Sequence, residues 1–135
     1  MTNQQYDIPE SLMYTKEHEW AQVLSDSVRV GITEYAAKTL NDIVYVSLPS
    51  TGESVKQSAT FGTVESIKAV SEVYSPLSGS LVKVNSELSD HPELVNESPY
   101  ERGWIAEIEP TNFEAERDKL LSSRQYREFL DSLVK

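Results

Sequence analysis

The sequence predicts a mainly β protein, a sandwich or barrel of short strands with flanking helices. Three observations predict it. Val28, Val30 and Ile32 alternate with Arg29 and Gly31, the period-two pattern of a half-buried strand. Further short β-prone segments follow at similar spacing, separated by turn-rich punctuation, as in sandwiches and barrels. Helical patterns appear only as additions around these strands, the strongest of them at the carboxyl end.

Taken in order, Trp20–Leu24 is the natural partner of Val28–Ile32, joined through Ser25-Asp26-Ser27. Thr33 has the side chain of a helix N-cap, and Glu34 stands near the positive end of a short helix over Glu34–Leu40. Strands are predicted at Ile43–Leu48, Thr60–Glu65, Ala69–Tyr74, Ser80–Val84 and Trp104–Glu109, the last with Trp104, Ala106 and Ile108 on one face. Pro49 to Gly52, Pro76 to Gly79 and the stretch Ser86 to Gly103 read as punctuation. Thr111-Asn112-Phe113-Glu114 and Ser122-Ser123-Arg124-Gln125 both have capping-box spacing. Behind the second, Tyr126, Phe129, Leu130, Leu133 and Val134 form an amphipathic stripe whose natural place is against the sheet.

A chain of 135 residues with 39% hydrophobic and 25% charged residues suits one domain over 1–135, a core of about 13–110 and a helical segment over 111–134. The absence of cysteine excludes disulfides, thiolate chemistry and cysteine-based metal sites, and His18 and His91 are too few for a histidine-rich centre. A formal net charge of −10 argues against nucleic acid and anionic membranes as partners and suits docking on positively charged protein surfaces. No apolar run is long enough to span a membrane, and the first residues lack the features of a signal or transit peptide, so a cytoplasmic location is the default expectation.

One segment stands apart. In Gly62-Thr63-Val64-Glu65-Ser66-Ile67-Lys68-Ala69-Val70-Ser71, two β-prone runs converge on Ser66, Ile67 and Lys68 without the Asn-Gly or Asp-Gly of a two-residue hairpin. A lysine at such a tip presents its amine to solvent at a fixed place, where it can be covalently modified. It can equally be an ordinary surface lysine, and composition does not choose among the seven lysines of the chain. Ser66 with Lys68, or Lys68 with Ser71, has the spacing of a Ser–Lys nucleophile pair, but no oxyanion-hole element accompanies it.

Val64-Glu65-Ser66-Ile67-Lys68-Ala69-Val70-Ser71, followed by Tyr74-Ser75-Pro76-Leu77-Ser78-Gly79 and Val84-Asn85, resembles the lipoylation motif of glycine cleavage H proteins. Tyr14-Thr15-Lys16-Glu17-His18-Glu19-Trp20, Val30-Gly31-Ile32-Thr33, Asp42-Ile43-Val44, Leu48-Pro49, Pro92-Glu93-Leu94-Val95-Asn96 and Pro99-Tyr100-Glu101-Arg102-Gly103-Trp104 are similar to the family's other blocks, in its order. The resemblance covers roughly residues 13 to 134. It implies a lipoyl-domain-like barrel-sandwich hybrid with lipoate in amide linkage on Lys68, flanked by Glu65, Ser66 and Ala69. It implies a non-catalytic carrier, most simply a monomer, that shuttles an aminomethyl group from glycine decarboxylase (P protein) to the aminomethyltransferase (T protein). Dihydrolipoamide dehydrogenase (L protein) and lipoate-attachment enzymes complete the partners.

An aminomethyl thioether hydrolyses in water, so the loaded arm needs a sheltering cleft with acceptors for its ammonium. Similarity to the family nominates Glu19 and Glu72 for that cleft, with His18 beside Glu19. Three positions depart from the family pattern: Asn41 where glycine is usual, Thr39 where histidine is frequent, and Arg102 at a variable position. A lipoyl donor to other complexes, a biotinyl carrier and an unmodified interaction module remain as alternatives. Biotinyl domains flank their lysine with methionines, where this chain has Ile67 and Ala69.

Overall fold

Alternating apolar residues build two antiparallel sheets over a common core in the computed structural model, which describes residues 6–48 and 50–133. The larger sheet runs in the order β1 (Met13–Tyr14), β2 (Glu19–Val23), β3 (Val28–Ile32), β9 (Ala106–Pro110), β8 (Gly79–Val84), β5 (Ser54–Val55). The smaller is β4 (Ile43–Ser47), β6 (Thr60–Ser66), β7 (Val70–Tyr74). Val28, Val30, Leu81 and Ile108 of the first meet Val46, Val64 and Val73 of the second, all buried. Removing such side chains from water at roughly 25 cal/mol per Å² is the main force holding the sheets together.

A second buried cluster joins Ile8, Leu12, Tyr14 and Trp20 to Tyr126 and Leu130 of α5 (Ser123–Leu133). Tyr14 and Tyr126 stack with centroids 4.8 Å apart, and the Trp20 indole N–H donates to the Pro99 carbonyl at 3.0 Å. Gly31 is what lets Trp20 lie on the sheet, since a Cβ there would stand 2.7 Å from the indole ring.

Helix α1 (Glu34–Leu40) begins and ends where its sequence signals place it, with the Thr33 hydroxyl accepting from the Ala36 N–H at 3.3 Å. It stops at Asn41, whose φ of 65° lies in the region that favours glycine, while its N–H donates to the Ala37 carbonyl. A glycine at this position would carry that φ without strain. Asn41→Gly is expected to raise stability by about 1 kcal/mol, read as a higher denaturation midpoint at unchanged m-value.

The second capping box forms in full: the Gln125 N–H donates to Ser122 Oγ at 3.2 Å, and the Ser122 N–H donates to Gln125 Oε1 at 2.9 Å. The stripe behind it buries Tyr126 and Leu130 and packs Phe129 partly, while Leu133 stays exposed and Val134 lies outside the described residues, as does Pro49.

Three expectations need correction. The Thr111 box does not form, because the Thr111 N–H is held by the Ser78 carbonyl and keeps the chain extended past β9. Helix α4 (Phe113–Arg117) therefore starts after Asn112, with no side-chain cap and with Glu114 exposed. Trp104 precedes β9 and does not share the core face of Ala106 and Ile108. Its ring packs against the second cluster, with the Arg29 guanidinium 4.6 Å and the Lys83 ammonium 5.9 Å from its centroid. The stretch from Ser86 to Gly103 is not only punctuation, since it contains α2 (Glu87–Asp90) and α3 (Leu94–Glu97). Single turns are too short to show an apolar stripe, although Leu88, Leu94 and Val95 anchor them in the core. The two-residue strands β1 and β5 leave no periodic trace for the same reason.

Candidate functional site

Strands β6 and β7 pair from Thr60↔Tyr74 to Glu65↔Val70 and leave Ser66 to Ala69 as the connection. Neither Ile67 nor Lys68 has a positive φ, so this is not the mirror-image turn that Asn-Gly serves. Ser66 closes it instead. Its N–H donates to the Ala69 carbonyl at 2.8 Å, and its hydroxyl accepts from the N–H groups of Ala69 at 3.1 Å and Lys68 at 3.3 Å. The Ile67 N–H donates to the Asp42 carbonyl at 3.1 Å, which ties the tip to the start of β4. Ser66 is buried while Ile67, Lys68 and Ala69 are exposed, and Glu65 is half-buried beside Tyr45 on β4. Among the described residues the Lys68 ammonium has no ion-pair partner. A hydroxyl committed to two backbone donors and facing inward is no partner for that amine, which disposes of the Ser–Lys nucleophile pair.

Glu19 opens β2 and is 1% exposed. The Thr15 hydroxyl donates to its Oε1 at 2.6 Å, and the Tyr74 N–H donates to its Oε2 at 3.1 Å. Burial pushes its carboxyl up to about 7, against the pull of those two hydrogen bonds. It lies in the wall of a cleft of about 250 Å³. Thr15 and Lys16 come from the β1–β2 loop, Gln57 from the β5–β6 loop, Tyr74 from β7, and Lys119 and Leu121 from the α4–α5 connector. That connector is fixed by reciprocal backbone hydrogen bonds between Tyr14 and Leu121, at 2.8 and 2.7 Å.

Glu72 is exposed on β7, accepts from the Thr60 hydroxyl, and is not part of the cleft wall. It shares the outward face of β7 with Val70 and Tyr74, and the four steps from Val70 to Tyr74 span about 13 Å. Glu72 thus stands between the lysine tip and the cleft. His18 points the other way: its ring lies 4.7 Å from Tyr35, its Nδ1 is 2.8 Å from the Tyr126 hydroxyl, and burial lowers it to about 4. It is not among the residues lining the cleft. His18 lies in the bend before β2 with a φ of 75°, and its side chain goes to the Tyr35 and Tyr126 side, so Glu19 and His18 do not act together. Thr39 is exposed on α1 and also absent from the cleft wall. Thr15 is the residue that sequence reasoning passed over. Its hydroxyl accepts from the N–H groups of Glu17 and Glu19 at 3.2 and 3.1 Å while donating to the Glu19 carboxylate, so one side chain shapes the loop and aims the acid.

Two antiparallel sheets with an exposed lysine displayed on a tight hairpin give the molecule the form of a covalent carrier domain. Residues 12–133 match the glycine cleavage H-protein family. The chain is 56% identical over 130 residues to the probable glycine cleavage system H protein of Pyrococcus abyssi, covering 96% of each chain. It is 53% identical over 123 residues to the glycine cleavage system H protein of Staphylococcus carnosus, covering 91% of this chain and 97% of that one. The crystal structure of a glycine cleavage system H protein from Mycobacterium marinum superposes with a TM-score of 0.81 at 34% identity, covering 95% of this chain and 100% of that one. The chain belongs to the glycine cleavage H-protein family, whose members carry lipoate covalently on a lysine. It is a non-catalytic carrier component of the glycine cleavage system. No helix among the described residues is long and apolar enough to cross a membrane.

Proposed function

We propose that Lys68 is the lipoylated lysine and that the cleft containing Glu19 shelters the aminomethyl-loaded arm. The observation that carries this reading is an exposed amine, without an ion pair among the described residues, on a turn held by Ser66 and the Asp42 carbonyl and followed by the strand β7 that leads to a buried carboxylate. The site fits the group: the amine is free to form an amide, and the turn fixes where it is presented. Lipoate supplies a disulfide that can take up the aminomethyl group, yield it as the dithiol forms, and be reoxidised.

The residues of the chain divide the work. Ser66 and Ala69 hold the turn, and Glu65 flanks it. Thr15 and the Tyr74 N–H orient Glu19 toward the cleft. Glu72 offers a second carboxylate on the way there. The enzymes that would meet this surface are the decarboxylase, the aminomethyltransferase, the dihydrolipoamide dehydrogenase and an enzyme of lipoate attachment.

Peptide mass spectrometry of protein from a lipoate-competent host tests the assignment: a lipoyl adduct on the Lys68 peptide is the expected result, and an unmodified lysine or a biotinyl adduct there overturns it. Glu72→Ala is expected to leave lipoylation intact and to shorten the lifetime of the loaded arm roughly two- to fivefold, the range of an exposed ion pair. Ammonia and formaldehyde release from isolated loaded protein measures it.

A further inference from the structure

Glu19 is held by donors only. Thr15 Oγ1 accepts from the N–H groups of Glu17 at 3.2 Å and Glu19 at 3.1 Å. Those two bonds use its lone pairs and commit its one hydrogen to Glu19 Oε1, at 2.6 Å. The Tyr74 N–H, which donates to Oε2 at 3.1 Å, cannot accept at all. Lys16 and Lys119 line the same cleft, but neither forms an ion pair with Glu19 among the described residues. The remaining lone pairs of the carboxylate are left for whatever the cleft contains.

A proton on this acid finds no acceptor in Thr15 or Tyr74. A buried O–H without an acceptor is costly, so its hydrogen points into the cleft, where water can accept it. A cation that enters the cleft needs the same lone pairs. Proton and ammonium therefore compete for one place, and a carboxylate that is 1% exposed does not stand there bare. The titratable and charged groups around it are Lys16, Glu17 and His18 on its own loop, Tyr74 on β7, Lys119 on the α4–α5 connector and Tyr126 on α5. Glu17 makes the proton harder to remove. His18, lowered to about 4, is neutral near pH 7, and burial keeps the Tyr126 phenol protonated.

We propose, on the reading that this cleft receives the loaded arm, that the arm enters by exchange: its ammonium takes the place of a proton on Glu19, and that proton leaves to water. In the step, the carboxyl O–H bond breaks and its electron pair stays on Glu19. The proton passes through cleft water to the solvent, and the ammonium N–H groups donate to the lone pairs thus freed. No covalent bond of the arm changes. The site is neutral before the step, as an acid, and neutral after it, as an ion pair, so no unpaired charge is buried at either end. The disulfide and dithiol forms of the arm are neutral and displace nothing. Docking of the loaded arm therefore weakens by about tenfold per pH unit below the point where the empty acid ionises, whereas docking of a neutral arm does not.

The test uses the full lipoylated chain. The sequence has no cysteine, so the two thiols of a reduced lipoyl arm are the only thiols present. Alkylating them with bromoethylamine gives a stable ammonium arm, and bromoethanol gives a neutral arm of the same length. Protein labelled with carbon-13 at the glutamate carboxyls is titrated in both forms by NMR. The Glu19 signal is the one absent from both Glu19→Gln and Glu19→Asp. It is expected to titrate near 7 with the neutral arm and at least about one pH unit lower with the ammonium arm, a tenfold loss of proton affinity, with the Tyr74 amide following the same curve. Equal midpoints overturn the exchange when the Gln57 and Ser58 amides show both arms seated in the cleft. So does a Glu19 that is already ionised below about pH 5 with the neutral arm. If neither arm moves any amide of the cleft, the arm does not enter it, and the sheltering reading fails together with the exchange.

Discussion

Lys68→Arg is expected to abolish glycine cleavage in a reconstituted system while leaving the protein folded and its stability within about 0.5 kcal/mol of wild type. The stability side follows from the surroundings of the residue. Its side chain is exposed, makes no ion pair among the described residues, and contributes only its backbone N–H to the turn, where Ser66 Oγ accepts it. Arginine keeps that N–H and the positive charge. What it cannot do is form the amide, because a guanidinium stays protonated and has no free electron pair at neutral pH. The effect is therefore all or none, unlike the graded loss from a weakened contact. The measurement is release of labelled carbon dioxide from glycine with the decarboxylase, aminomethyltransferase and dihydrolipoamide dehydrogenase present, beside a thermal melt. Residual turnover above a reaction lacking this protein would show that another lysine carries the arm.

Lys68 also marks where the sequence stops being legible by physics alone. Periodicity and turn chemistry locate a strand–turn–strand at residues 60–74 and show that its tip is unusual, but they assign the tip lysine no more than exposure. Only the order of motif blocks along the chain singled it out from seven. The fold was readable wherever a signal is local and repeated: α1 carries its cap and its stop in adjacent residues, and β3 carries two full periods of alternation. It was unreadable where elements are a single turn or bridge, as in β1, β5, α2 and α3. Thr111 shows a different failure. Its capping box is a valid local signal, overridden by a tertiary hydrogen bond from its own N–H to Ser78. The cleft was hidden for a third reason, since Thr15, Gln57, Tyr74 and Lys119 come from four separated segments and none is remarkable in its own.

Glu19→Gln is expected to gain stability relative to wild type as pH rises and to make the carrier worse. A carboxyl raised from 4.5 to about 7 by burial keeps its proton in the folded state over a pH range where the unfolded chain has lost it. The folded state then binds more protons, so this group makes stability fall as pH rises from about 4.5 to 7 and level off above. His18 works in the opposite direction. Its depressed value of about 4 means that the unfolded chain binds the extra proton between there and 6.5, and stability rises with pH across that window. The two slopes largely cancel in the wild type, so the variant exposes what a single pH curve conceals. Glutamine has one acceptor oxygen for the two donors, the Tyr74 N–H and the Thr15 hydroxyl, so it loses one of these hydrogen bonds at every pH, and it does not ionise. The difference between variant and wild type is therefore expected to move in favour of the variant by about 3 kcal/mol between pH 4.5 and 7.5, measured by urea unfolding at both ends. A buried carboxylate without a cationic partner is a standing cost to the fold, and it becomes favourable when a cation enters the cleft beside it. The loaded arm brings such a cation, an ammonium. Loss of a buried charge-assisted hydrogen bond is worth roughly 1.5–3 kcal/mol, so the loaded arm of Glu19→Gln is expected to decay about ten- to a hundredfold faster than wild type at pH 7.5. A variant that is stabilised with the stated pH dependence but keeps its loaded arm as long as wild type would leave Glu19 a buried acid with no part in sheltering the arm.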